Sequence, residues 1–156
     1  MIALIAAMSK NYCIGSQGVI PWKIKGEQKR FRELTIGRTV VMGRRSFEEI
    51  GRPLPDRRTI LVSTTTKWES DNCITVGSFQ EAMAAADGED LYIAGGAMLY
   101  EEALPLAEKL YLTVIDLNVE GDTFFPVFDK NLFHITFEEH HKGDIPYTCY
   151  TWERKT

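Results

Sequence analysis

Between Ile14 and Leu34 the chain reads Ile-Gly-Ser-Gln-Gly-Val-Ile-Pro-Trp-Lys-Ile-Lys-Gly-Glu-Gln-Lys-Arg-Phe-Arg-Glu-Leu, with two acids, Glu27 and Glu33, of which Glu27 is the one that matters here. Gly15, Gly18 and Pro21 break the first half into a loop, and a helix is expected from about Lys25 to Leu34. Residues three or four apart share a helix face, so Glu27 lines up with Phe31 and Leu34, with Ile24 just above. Lys29, Arg30, Arg32 and Glu33 fall elsewhere and read as a solvated basic face. A carboxylate on an apolar stripe needs a partner, or its ionised form is penalised and its pKa rises. Such a group suits proton chemistry at a bound ligand. The alternative is an acid that favours the first helical turn for its dipole and sits in water.

Three further groups suit phosphate. Gly43-Arg44-Arg45-Ser46 lies where a strand turns into a helix. Cations at a helix N-terminus are disfavoured by the macrodipole, so two arginines there point to a bound anion; the alternative is that both guanidiniums face outward. Ser63-Thr64-Thr65 offers hydroxyls after a strand, a common loop composition. Gly95-Gly96, between strand and helix, lets backbone N–H groups approach a pyrophosphate closely, although a double glycine can be only a tight turn. A dinucleotide with an extra phosphate would engage all three. Arg52 and Arg57 flank the Pro-Leu-Pro loop, and a bidentate carboxylate clamp needs an arginine on a rigid support. That favours Arg57, which enters a strand. His140 and His141 are neighbours in a strand and face opposite ways, so they cannot share a metal, and His134 reads as a surface residue. There is no Gly-x-Ser-x-Gly elbow and no Walker loop.

The elements that must position these residues follow from periodicity. Residues 2 to 8 read as a central strand with both faces apolar. Further strands are expected at 39–42, 58–63, 73–76, 91–94, 110–115, 133–140 and 147–152. Helices are expected at 47–50, from Ser78 (a cap, with Glu81 in the capping-box position) to Ala86, and from Ala97 to Leu104, which Pro105 ends. Residues 120–126 read as a turn-rich segment. The last two strands, joined by Lys142-Gly143-Asp144, must be antiparallel. The alternation predicts one α/β domain, residues 1–156, with a mostly parallel eight-stranded twisted sheet, flanking helices and an antiparallel C-terminal edge strand.

With 156 residues, 44% hydrophobic and 26% charged, the chain suits one soluble domain with a sizeable core. The apolar start, Met1 to Met8, has no basic leader and is too short to span a bilayer. Three cysteines in no paired spacing argue for a reducing compartment, so a cytoplasmic location is expected. Residues 23–58 hold eleven Lys and Arg against five Asp and Glu, a local +6 that leaves −10 for the rest of a chain whose net charge is −4. An acidic chain with one basic segment suits a small anionic ligand better than a long polyanion.

Taken together, these residues resemble dihydrofolate reductases along essentially the whole chain. The matching runs are Ile14-Gly15 with Ile20-Pro21-Trp22, Met42-Gly43-Arg44, Ile50 to Pro55 with Arg57, Gly95-Gly96 with Tyr100, Leu110 to Thr113, and Glu120 to Thr123 with Phe125-Pro126. The resemblance implies hydride transfer from NADPH to 7,8-dihydrofolate, giving tetrahydrofolate. In that pattern Glu27 is the lone acid at the pterin, braced by Thr113, with Trp22 in the catalytic set. Ile5, Ala7, Gln28, Phe31, Ile50, Arg52, Leu54 and Ala94 surround the substrate, and Arg57 holds the carboxylate of its glutamate tail. Arg44, Ser63 and Thr64 hold the 2′-phosphate region of NADPH, with Gly43, Arg45 and Ser46 beside them. Gly95 and Gly96, joined by a cis peptide in this family, receive the pyrophosphate, followed by Ala97, Met98, Leu99 and Tyr100, the last beside the nicotinamide. Ala7, Ile14, Gly15, Ile20 and Thr123 complete the cofactor set. The loop from Gly15 to Trp22 is the implied lid and Asp122 its latch. Partners are dihydrofolate and antifolate small molecules, with neither nucleic acid nor membrane, and a monomer is expected. Gln28, Ala94 and Ala97 depart from common members. Lys25-Gly26-Glu27-Gln28 resembles mobile-element reductases linked to trimethoprim resistance, which implies reduced trimethoprim sensitivity. Two other functions share the scaffold: a silent folate or nucleotide carrier, which has no need of Glu27, and a pyrimidine reductase of riboflavin synthesis, which would want a phosphate site in place of the Arg57 clamp.

Overall fold

The computed structural model describes residues 1–15 and 25–156, and for Lys25 and Glu27 the backbone alone. Among these residues the order is β1 (Ile2–Ser9), β2 (Cys13–Gly15), α1 (Lys25–Thr35), β3 (Thr39–Gly43), α2 (Arg44–Ile50), β4 (Arg58–Val62), β5 (Cys73–Val76), α3 (Phe79–Ala86), β6 (Leu91–Ile93), α4 (Ala97–Ala103), β7 (Lys109–Ile115), β8 (Thr123–Phe124), β9 (Phe133–His141) and β10 (Tyr147–Arg154), with short 3-10 turns at Leu104–Leu106 and Lys130–Leu132. The main sheet runs β5-β4-β3-β6-β1-β7-β10-β9. Every pairing from β5 to β7 is parallel, and β10 pairs antiparallel with both β7 and β9. The expected antiparallel C-terminal edge is therefore a pair, with β10 inside and β9 outermost.

Parallel strands covered on both faces must be apolar on both, and the alternation assigns each face its own core. Val41, Ile60 and Ile93 pack with Leu4, Leu110 and Leu112 against Phe79 and Ala82 of α3, Leu99, Tyr100 and Ala103 of α4, and Phe125, Phe128 and Phe133. On the opposite face Val40, Met42 and Leu61 meet Phe47 of α2, while Ala3, Ile5 and Tyr92 meet Phe31 and Leu34 of α1. The amphipathic reading of α1 thus holds for its two apolar residues. Arg30 departs from the expected solvated face: it is half-buried, its guanidinium over the Phe137 ring at 5.0 Å and its Nη2 3.4 Å from Thr151 Oγ1.

Helix ends follow their caps. Ser78 Oγ accepts from the Glu81 N–H at 3.2 Å, satisfying a donor the helix leaves open, while Glu81 Oε2 accepts from the Gly77 N–H at 2.6 Å, one residue before the N-cap donor of a capping box. Residues 120–126 are more than turns. Thr123–Phe124 pairs antiparallel with Cys13–Gly15 as a second, two-stranded sheet, which ties residues 13–15 to a distant stretch of chain. His140 pairs with Glu138 at 2.7 Å and His141 with Glu139 at 2.6 Å; among the described residues no cluster could hold a metal ion. Among the described residues no helix is long and apolar enough to cross a membrane.

Candidate active site

In open parallel sheets ligands sit beyond the carboxyl ends of the strands, near the point where strand order reverses. Here β4, β3 and β6 are adjacent, and their carboxyl ends carry the three phosphate-suited groups. Gly43, the N-cap of α2, donates its N–H to the Gly95 carbonyl at 2.8 Å, so the two glycine corners are directly joined. Gly95-Gly96 is a cis peptide. Gly95 has φ 117°, and a Cβ there would come within 2.7 Å of Ser46 Oγ. Only glycine fits that place without displacing Ser46; Gly95 is buried and Gly96 half-buried. Arg44 and Arg45 are exposed on the first turn of α2, which contains no acid, and Arg44 is paired with Glu48 at 3.2 Å. Ser63 Oγ accepts from the N–H groups of Thr65 and Thr66 at 3.2 and 2.9 Å, shaping a compact turn in which Thr64 is exposed.

The other end of the α1 face holds Arg57, buried to 6% exposure just before β4. Its Nε donates to the Pro55 carbonyl at 3.0 Å and its Nη1 to Thr35 Oγ1 at 3.2 Å. Thr35 in turn donates to the Phe31 carbonyl at 2.7 Å. The guanidinium is therefore aimed by the proline loop and by the last turn of α1 before any ligand arrives. Burial, and to a lesser degree the nearby Arg32, push its pKa below the ordinary arginine value, while Asp56 works the other way. A buried cation with one nearby acid suits an incoming carboxylate. Thr35 is the part of this clamp that sequence reasoning missed, since its side chain reads as a helix terminus and only the tertiary contact reveals its aim.

Between these ends, α1 lies across β1 and β6 with Phe31 on Ile5. Glu27 is eight residues before Thr35 on α1, a rise of roughly 12 Å. The helix therefore carries the Thr35–Arg57 contact near its last turn and the backbone of Glu27 in its first. The side chain of Glu27 lies outside the described residues, as do Ile20 and Trp22. Thr113 is buried on β7, its Oγ1 3.8 Å from Cys149 Sγ. Ile5 is buried, and Ala7, Phe31, Leu54 and Ala94 are half-buried around the same face. Gln28, Ile50 and Arg52 are exposed at its margin. Tyr100 is buried and donates to the Ile5 carbonyl at 2.7 Å, linking α4 to the strand that carries Ile5 and Ala7.

The remaining cofactor candidates divide between core and surface. Leu99 is a core residue, Met98 is 76% exposed, and Ala97 is half-buried at the start of α4. Ile14 is half-buried, Gly15 is buried, and Thr123 is the register partner of Gly15. The Asp122 N–H meets the Gly15 carbonyl at 3.3 Å, and the Asp122 carboxylate accepts from Thr123 Oγ1 at 3.0 Å.

A family model described as dihydrofolate reductase matches residues 1–154. The chain is 46% identical over 127 residues to the dihydrofolate reductase type 3 of Salmonella typhimurium, covering 81% of this chain and 78% of that protein. It is 42% identical over 156 residues to the dihydrofolate reductase type A13 of Escherichia coli, covering 99% and 94%. Among solved structures it matches the dihydrofolate reductase of Enterococcus faecalis complexed with NADP(H) and RAB-propyl. That match has a TM-score of 0.90 and 32% identity, covering all of this chain and 97% of the other.

Proposed function

Because the chain belongs to the dihydrofolate reductase family, we propose that it reduces 7,8-dihydrofolate to 5,6,7,8-tetrahydrofolate with NADPH, using Glu27 to promote protonation of the substrate. The observation that carries the assignment of parts is the α1 face, with a preoriented arginine at one end and the glycine-joined strand ends at the other. When bound, NADPH supplies a hydride to the carbon of the pterin imine; a proton must reach the imine nitrogen. Glu27 accepts hydrogen bonds from the pterin amino group and ring N–H, and its charge favours protonation of that nitrogen by way of water. Thr113 braces it. Ile5, Phe31 and Leu54 exclude water around the rings, and Arg57 holds the tail carboxylate. Arg44, with Ser63 and Thr64, fits the 2′-phosphate; the Gly95-Gly96 corner fits the pyrophosphate because its bare backbone lets anionic oxygens approach. On this reading the protein serves one-carbon metabolism, and we propose that it acts as a cytoplasmic monomer.

Replacement Glu27→Gln tests it. Reduction at neutral pH is expected to slow by orders of magnitude while NADPH binding stays nearly intact, because the lost term is electrostatic and acts on the reacting ring. Near-normal turnover in that variant would overturn the role. Weak inhibition by trimethoprim is the companion proposal, motivated by exposed Gln28 and by the small, half-buried Ala94 just after β6. An inhibition constant in the nanomolar range would end it.

A further inference from the structure

We infer that Tyr147 is a positioning residue for the acid of this reaction, acting through Gly26; the inference rests on the role assigned to Glu27 above. In β10, Tyr147 stands opposite Ile115, Cys149 opposite Thr113, and Thr151 opposite Tyr111. Alternate residues share a sheet face, so these three form a row beneath α1 and the site. Thr151 meets Arg30 at 3.4 Å and Cys149 meets Thr113 at 3.8 Å. Tyr147 meets the first turn of the helix itself. A Cβ built on Gly26 would overlap the Tyr147 hydroxyl oxygen and lie 3.1 Å from the ring carbon that bears it. The hydroxyl therefore occupies the space that any other residue at position 26 would fill with its own side chain.

The strand side of this contact is held. The Tyr147 ring stacks on His141 with centroids 4.5 Å apart and planes within 6°. His141 is its register partner on β9, and His141 Nε2 lies 2.6 Å from Glu139 Oε1. On the helix side the Gly26 backbone faces the hydroxyl. The hydroxyl thus acts as a stop that sets how closely the start of α1 approaches the sheet. Glu27 is the next residue, so any displacement of Gly26 is transmitted to its Cα across a single peptide unit. Misplacement of a reacting group by about 1 Å can cost on the order of a hundredfold in rate, so a contact that fixes this turn bears directly on the chemistry without touching the substrate.

The test exchanges one atom between strand and helix. Single-turnover hydride transfer is followed against pH in the parent protein, Gly26→Ala, Tyr147→Phe and the double variant, with NADPH affinity and thermal midpoint measured in each. Helix propensity favours alanine over glycine, so a loss in Gly26→Ala alone comes from the clash. That variant is expected to transfer hydride about tenfold or more slowly, with a shifted apparent pKa for the step and unchanged NADPH affinity. Tyr147→Phe is expected to lose activity severalfold with the same kind of pKa shift. In the double variant the alanine Cβ takes the place of the missing hydroxyl, the ring yields by a few tenths of an ångström, and most of the rate and the parent pH profile return. Losses that simply combine in the double variant would overturn the inference. So would a Tyr147→Phe protein with parental rate and pH profile, or rate losses that follow only the thermal midpoint. Glu27→Gln assayed alongside separates the two ideas. Near-normal turnover there removes the role of the acid itself, whereas a slow Glu27→Gln with uncoupled Gly26 and Tyr147 removes only the positioning role.

Discussion

Arg57→Lys is the substitution whose outcome follows most directly from the geometry. A guanidinium has five N–H donors, and two are already engaged, by the Pro55 carbonyl and Thr35 Oγ1. The fork is thereby oriented, and the remaining donors suit both oxygens of a carboxylate at once. Lysine keeps the charge but not the fork. It loses one charge-assisted hydrogen bond to the ligand, worth about 1.5–3 kcal/mol. That converts to roughly 10- to 150-fold weaker binding of dihydrofolate. The assay is the Kd and KM of the variant for dihydrofolate and for dihydropteroate, which lacks the glutamate tail, with the hydride-transfer rate measured at saturation. The penalty is expected for dihydrofolate alone, with the saturated rate and NADPH affinity nearly unchanged. Although burial lowers the Arg57 pKa from its ordinary value, arginine stays protonated across the neutral range, so the penalty is expected to be flat with pH there. An equal loss for the tail-less substrate, or a loss confined to the saturated rate, would refute the clamp.

Arg44→Ala is expected to weaken NADPH far more than NADH, measured by fluorescence titration, because only NADPH carries the 2′-phosphate. The existing Arg44–Glu48 pair is exposed and contributes roughly 1 kcal/mol or less, so it competes little with a phosphate, and equal losses for both cofactors would contradict the role. The thiols offer an independent check on the fold. Cys13, Cys73 and Cys149 are all buried, and burial, with a smaller push from Glu69, raises the Cys73 thiol to about 11. Thiolate is the reactive form, so a thiol reagent at mildly alkaline pH is expected to leave the native protein untouched and to modify three cysteines after denaturation. Rapid modification of Cys73 in the native state would mean that β5 is less well packed than the structure shows.

The local elements were legible because their signals are short-range. The apolar run of β1, the Ser78 cap on Glu81 and the five-residue link between β9 and β10 each depend on a window of a few residues. The phosphate-suited corners were legible for the same reason: Gly43-Arg44-Arg45-Ser46 and Gly95-Gly96 are contiguous. The β2–β8 ribbon was not, since neither three nor two residues announce a strand until they meet a partner more than a hundred positions away. Arg30 misled for a related reason. Its spacing places it off the apolar stripe, but β9 and β10 extend far enough to meet its guanidinium.

By itself the amino-acid order determined the alternation of strands and helices, the apolar faces, the anion-suited corners and the family, all of which are encoded in local periodicity and contiguous motifs. The tertiary structure alone decided that Thr35 aims Arg57, that Gly43 is bonded to Gly95, and that a tyrosine from the last strand occupies the space beside Gly26. Those contacts join residues far apart in the chain, and no local preference specifies them. They exist because the packed faces of the sheet bring those side chains to the same place.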